Sequence, residues 1–181
     1  MTLYEIIAQL IGIAAMAFNI FSYQQKTSRR VILFQLAGGS LFAVNFFMLG
    51  ATMGGIMNVI AVMRAIIYAN KEKFRATHIL WFIFFMVLYV ASYILTFAVI
   101  GTPFTLWHAL LEILPIIAMT ASTISFRLQN ANAIRKYGLI CSPSWLIYNI
   151  ANLSIGAIIC EVLSLVSIVI GILRLDKKKA A

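Results

Sequence analysis

The sequence predicts an all-α membrane protein of seven transmembrane helices, built as two parallel three-helix repeats joined by one linker helix. Three observations predict it. Hydrophobic residues make up 63% of the 181-residue chain and charged residues only 10%, against about 45–50% and about 25% in soluble domains. A soluble domain of this size buries only about 70% of its unfolded surface, so a mean hydropathy of +1.00 requires a bilayer. The basic residues gather in alternate gaps between apolar runs, and the second half of the chain echoes the first.

Taking stretches of about 20 apolar residues as spans, the helices fall at 3–23, 31–49, 54–70, 79–100, 106–126, 137–151 and 156–174. The first lacks a basic segment before it and runs to full span length, so it reads as a retained helix and not as a cleavable leader. The third and sixth are short for a span. The fourth has no counterpart in the repeat. A three-helix unit ends on the side opposite its start, so two such units lie parallel only if one extra span returns the chain. The expected units are residues 1–75, a cytoplasmic loop and linker helix at 76–103, the second repeat at 104–176, and a basic tail at 177–181.

The gaps are of two kinds. Lys26, Arg29 and Arg30, then Lys71, Lys73 and Arg75, then Arg127, Arg135 and Lys136, then Lys177, Lys178 and Lys179 mark one side. The gaps at 50–53, 101–105 and 152–155 carry no charge. Basic loops face the cytoplasm, which puts the N-terminus outside and the C-terminus inside. The net charge of +9 is thereby a signal of orientation, with anionic lipid headgroups as secondary partners, and not the footprint of a nucleic-acid binder.

Sliding the chain on itself aligns Thr2-Leu3-Tyr4 with Thr105-Leu106-Trp107, Ala15-Met16 with Ala118-Met119 and Ser22-Tyr23 with Ser125-Phe126. Further on, Ser40 meets Ser144, Asn45 meets Asn149 and Asn58 meets Glu161. The helix breakers agree too, Gly12 with Pro115 and Gly39 with Pro143.

Polar groups inside a bilayer are costly, so each is a candidate site residue. Asn58 and Glu161 stand at matching depth, about one turn inside the outer ends of their helices. A carboxyl held out of water can carry a proton or meet a cationic group, so Glu161 is suited to either; the structural alternative is a neutral hydrogen bond to a neighbouring helix. Asn45 and Asn149 suit the mouth of a cavity or, as Asn favours helix ends, a tie between helices. Gln9 and Glu112 precede the breakers, where a bent helix exposes carbonyls that need partners; with Glu161 both are candidates for proton transfer or gating, Glu112 as the proton acceptor. Gly12, Gly39, Pro115 and Pro143 are hinge candidates or points of close helix packing. Arg64 reads as a residue that snorkels to the headgroups.

The 3+1+3 plan, with a basic loop after the first and fifth helices, resembles that of the SWEET and SemiSWEET sugar transporters, the PQ-loop proteins and the PnuC vitamin transporters. The segment from Asn45 to Gly50, the Met57-Asn58-Val59-Ile60 turn, Ile147-Tyr148-Asn149, Ser154-Ile155-Gly156 and Glu161 resemble the YgjV family of bacterial inner-membrane proteins. Where SWEET-like chains have a Pro-Gln dipeptide after the first helix, this chain reads Tyr23-Gln24-Gln25. The resemblance implies a multi-pass inner-membrane protein, with Asn58 and Glu161 at the positions of the pocket asparagines. Trp145, which follows Ser144 and has Ser40 opposite on the second helix, matches the Ser/Trp positions that flank the pocket in SWEETs; its ring face suits stacking on a sugar or heteroaromatic base, and the structural alternative is an interfacial or core tryptophan.

No zinc-binding His pair, Cys-x-x-Cys, nucleophile elbow or phosphate loop is present, and His78 and His108 fall on opposite sides of the membrane. Cys141 and Cys160 read as small, reduced core residues. The expectation is a non-enzymatic transporter with no metal or cofactor. It moves a sugar-, vitamin- or nucleoside-like solute by alternating access between the repeats, and a monomer suffices while a homo-oligomer stays open. The competing class is a scaffold, sensor or assembly protein on the same fold, which would have no water-filled cavity.

Overall fold

The computed structural model describes residues 3–48, 52–99, 101, 103–151 and 155–176. The basic tail and the centres of the uncharged gaps around residues 50 and 153 lie outside the described residues. Eight α-helices appear among the described residues: α1 (Leu3–Ser22), α2 (Ser28–Met48), α3 (Thr52–Ala69), α4 (Lys71–Phe74), α5 (Ile79–Ala98), α6 (Leu106–Arg127), α7 (Ala131–Ala151) and α8 (Ile155–Gly171). A π-helical turn, Ile172–Asp176, continues α8. Four stretches among the described residues are long and apolar enough to cross a membrane: α2, α5, α6 and Ala157–Leu175.

The helix ends follow local chemistry. His78 stops the preceding loop because its ring nitrogen accepts from the Leu80 amide at 3.3 Å, and Thr105 caps α6 by accepting from the His108 amide at 3.2 Å. The basic gap after α3 is not simple loop: it folds as α4, which ends on Arg75 in the left-handed region (φ 47°), and Trp81 reaches back to the Phe74 carbonyl at 2.8 Å.

One boundary corrects the sequence reading. The apolar run places the start of the sixth span at residue 137, but α7 begins at Ala131, with Asn130 accepting from the Asn132 amide at 2.9 Å. Arg135 and Lys136 are good helix formers, and Arg135 is not a loop charge. It is 2% exposed and donates to the carbonyls of Tyr23 (3.3 Å) and Gln25 (2.8 Å), groups that the end of α1 leaves without helical partners.

Short turns make sequential helices antiparallel neighbours. α1 packs on α2 and α2 on α3; α6 packs on α7 and α7 on α8. Between these two triples α1 meets α8, α3 meets α6, and α2 meets α7. Exchanging α1–α3 for α6–α8 leaves that set of contacts unchanged. α5 stands outside it, packed on α6 and α3. Its buried positions, Phe85, Tyr89, Ser92 and Thr96, form one stripe at helical spacing.

The core runs through the α3–α5–α6 region, where Tyr68, Phe85, Tyr89 and Phe126 are essentially fully buried. The outer faces are apolar and open: Leu10 and Ile13 on α1, Val87 and Ile94 on α5, and Val166 and Ile170 on α8 are exposed. Apolar surface on that scale needs a covering, and hydrocarbon supplies it.

Candidate functional site

Between the triples lies a cavity of about 170 Å³, lined from α1, α2, α3, α6, α7 and α8. Asn58 and Glu161, expected at one depth, both line this cavity, as do Trp145, Asn149 and Gly39. Ser142 on α7 lies against the carboxyl of Glu161 and the phenol of Tyr23. Trp145 is held edge-to-face by Tyr148 at 5.8 Å between ring centroids, so its ring stands in a fixed orientation.

The other expected site residues are elsewhere. Asn45 is 6% exposed, and its amide donates to the Ala8 carbonyl at 2.7 Å, tying α2 to α1. The Asn45–Asn149 pair is therefore split, one member a tie and the other at the cavity. Ser40 and Ser144 bond back within their own helices, to the carbonyls of Leu36 (2.9 Å) and Ile140 (2.8 Å). Glu112 is partly buried and accepts from the Tyr148 hydroxyl at 3.4 Å. Gln9, its expected counterpart, is exposed on α1, so the two do not form an equivalent pair.

Among the hinge candidates, Gly12 is a contact point. A Cβ there would stand 3.1 Å from the Asn45 amide nitrogen. Pro115 and Pro143 lie inside α6 and α7, which continue as helix through them. Gly39 has more room, since a Cβ at that position would meet Val62 at an ordinary 3.5 Å. Both cysteines are free thiols in the cavity wall, Cys141 meeting the Ser122 hydroxyl at 3.2 Å.

Sequence reasoning missed the largest polar group of the site. Arg64 does not snorkel. It is 5% exposed, lines the cavity, and its Nη1 donates to the Met119 carbonyl (3.0 Å), the Tyr89 hydroxyl (3.1 Å) and the Thr123 hydroxyl (3.4 Å). The Phe126 ring lies 5.0 Å beneath the guanidinium. Tyr89 and Thr123 are themselves 2.9 Å apart, so the three side chains form one network across α3, α5 and α6. From Arg64 to Ala69, where α3 ends near the basic loops, the helix rises about 8 Å, a distance that a long side chain can span. The side chain turns inward because two hydroxyls and a carbonyl wait there. The available sign in the sequence was a cation in an apolar run; its partners sit on helices that only the fold brings alongside.

Searches of curated proteins and of solved structures found no match. A family model, Imp-YgjV, described as bacterial inner membrane protein, matches residues 6–179. That match takes in every residue that lines the cavity, and with it the chain belongs to the YgjV family of bacterial inner-membrane proteins.

Proposed function

We propose that the protein is a transporter of a small polar solute, with α1–α3 and α6–α8 as parallel three-helix repeats of a seven-span, SWEET-like plan, α5 as the returning span, and the N-terminus outside. The observation that carries this reading is the cavity between the triples, with Asn58 and Glu161 in its wall. Polar groups are kept inside a membrane protein at a cost and gather where a solute or ion passes. The exchange-symmetric helix contacts support the repeat, and the alternating basic gaps support the orientation. Each of the two triples supplies one polar residue at the same place in its third helix, so rocking one triple against the other opens the cavity to either side in turn.

The volume sets the size of the solute. An apolar protein cavity of about 150 Å³ holds a benzene molecule, so this one suits a solute on the order of ten heavy atoms or fewer. Asn58 and Asn149 offer amides, Glu161 a carboxyl, and Trp145 a ring edge or face. Solute specificity comes from leaving those groups unpaired when the wrong molecule enters.

The test is a thermal-unfolding screen of the purified protein with small sugars, B-vitamin precursors and amines, followed by uptake of any hit into proteoliposomes. A ligand that binds only the folded state raises apparent stability by mass action. The expected result is a stabilising solute that also enters the vesicles, with both effects lost in Asn58→Ala and Glu161→Gln. Wild-type uptake in both variants would place the site elsewhere, and binding without uptake would favour a sensor.

A further inference from the structure

We infer that Arg64 is an anion subsite, and that the solute of this cavity carries a carboxylate or phosphate group. The inference rests on the reading of the cavity as a solute site and narrows it to one chemical class. Three observations combine.

A guanidinium stays charged under all ordinary conditions, and burying a charge is costly unless it is paired. Arg64 leaves only 5% of its surface exposed. Among the described residues its partners are a phenol, a hydroxyl, a backbone carbonyl, a thioether and a ring. All are neutral. They orient the cation without neutralising it.

The hydrogen bonds are also one-sided. Every one of them leaves from Nη1, and Nε is buried with no partner among the described residues. Nη2 has no acceptor from those residues either, and it is not closed over as Nε is, so it is the donor left for a carboxylate or phosphate; Nε joins it in a bidentate grip once the side chain turns.

The third observation is position. Arg64 shares the cavity wall with Glu161 from the other triple and with Asn58 on its own helix, six residues away and thus about 9 Å along the axis. A solute of the size that fits can span from one to the other. Its anionic end meets Arg64, its hydrogen-bonding body meets Asn58, and Glu161 meets the far end. Closing the cavity over such a solute pairs a buried charge that is otherwise uncompensated, so binding energy is directed at the anion.

Matched pairs test this on the full-length protein in lipid nanodiscs: nicotinate against nicotinamide, gluconate against glucose, glycerol 3-phosphate against glycerol, at equal ionic strength set with sodium chloride. The expected result is that at least one anion raises the unfolding temperature and binds about tenfold or more tightly than its neutral partner. The carboxylate and phosphate arms tell the two anions apart. Arg64→Gln should abolish that preference, and Arg64→Lys, which keeps the charge but not the fork, should restore part of it. Equal binding of anion and neutral partner, no stabilisation by any anion, or an anion preference that survives Arg64→Gln would each overturn the inference. If Arg64→Gln does not fold, Arg64→Lys decides the matter, since an anion preference undiminished there would overturn the inference and a preference reduced but present supports it. If an anion binds through Arg64 but never enters proteoliposomes, the subsite stands and the transport reading falls. If neutral solutes are carried with no anion preference, the transport reading stands and the subsite falls.

Discussion

Of the three contacts between the helix triples, two form a matched pair of seams, α3 on α6 and α8 on α1, and the same offset that sets Asn58 against Glu161 sets Arg64 against Ser167, Tyr68 against Gly171 and Phe126 against Tyr23. Large and charged side chains fill the first seam. On α8 the second seam presents small ones: a Cβ on Gly171 would stand 2.5 Å from the Tyr23 carbonyl oxygen and 2.9 Å from the Arg135 side chain, and Ser167 donates to the Ile20 carbonyl at 2.6 Å while receiving the Gln24 amide at 3.0 Å. The first seam alone is overlaid by α5, whose Tyr89 hydroxyl reaches Arg64. Each seam therefore holds a buried cation, but by different means: Arg64 is gripped by hydroxyls of α5 and α6 and a carbonyl of α6, and Arg135, reaching in from α7, by the carbonyls of Tyr23 and Gln25 beyond the end of α1.

Four substitutions would break or sharpen this contrast. Tyr68 is fully buried between Phe85 and Phe126, so Tyr68→Ala should cost about 3–5 kcal/mol of stability through lost contacts and an empty space. Denaturant titration of the purified protein reads it, and a loss under about 1 kcal/mol would mean that the first seam is not held by its bulk, on the scale of core truncations. Gly171→Ala forces a methyl against the Tyr23 carbonyl and the Arg135 side chain. Overpacking of that kind costs about 1–3 kcal/mol, seen as a lower unfolding midpoint, whereas an unchanged midpoint would show the second seam to be loose.

Tyr89→Phe removes one hydroxyl from the Arg64 network and leaves the ring in place. The expected loss is about 1–2 kcal/mol, together with faster amide hydrogen exchange in the centre of α5; exchange that stays at the wild-type rate would detach α5 from the role given to it. Gln24→Ala removes bonds to the carbonyl (2.6 Å) and hydroxyl of Ser167. Interhelical hydrogen bonds in membrane proteins average about 0.6 kcal/mol, so a loss on the order of 0.5–1.5 kcal/mol is expected in the same titration. A larger effect than Tyr89→Phe would reverse the ranking of the seams.

How far the sequence carried depended on whether the signal was along one helix or between two. The start of α5 at Ile79 and of α6 at Leu106 was legible because apolar runs begin beside residues that cap. The start of α7 was not, since Arg135 and Lys136 look like loop charges until the end of α1 is placed beside Arg135. Asn58 and Glu161 could be paired because repetition conveys depth, and depth alone brought both to one cavity wall. Rotation about the helix axis is not conveyed in that way. Asn45 and Asn149, expected at one depth, face different neighbours, Ala8 in one case and the cavity in the other. Arg64 was misread for the same reason, and Tyr89 escaped notice because α5 reads as a span whose work is only to return the chain.

The thiols of the cavity wall carry a consequence of their own. The chain contains two cysteines, and Cys141 and Cys160 both line the cavity, one on α7 and one on α8. A membrane-permeant alkylating reagent therefore has no other sulfhydryl to consume, and each added mass records one encounter with the interior. The rate of that addition reads how accessible the cavity wall is, native to the unmodified polypeptide and readable by mass spectrometry without introducing a reporter.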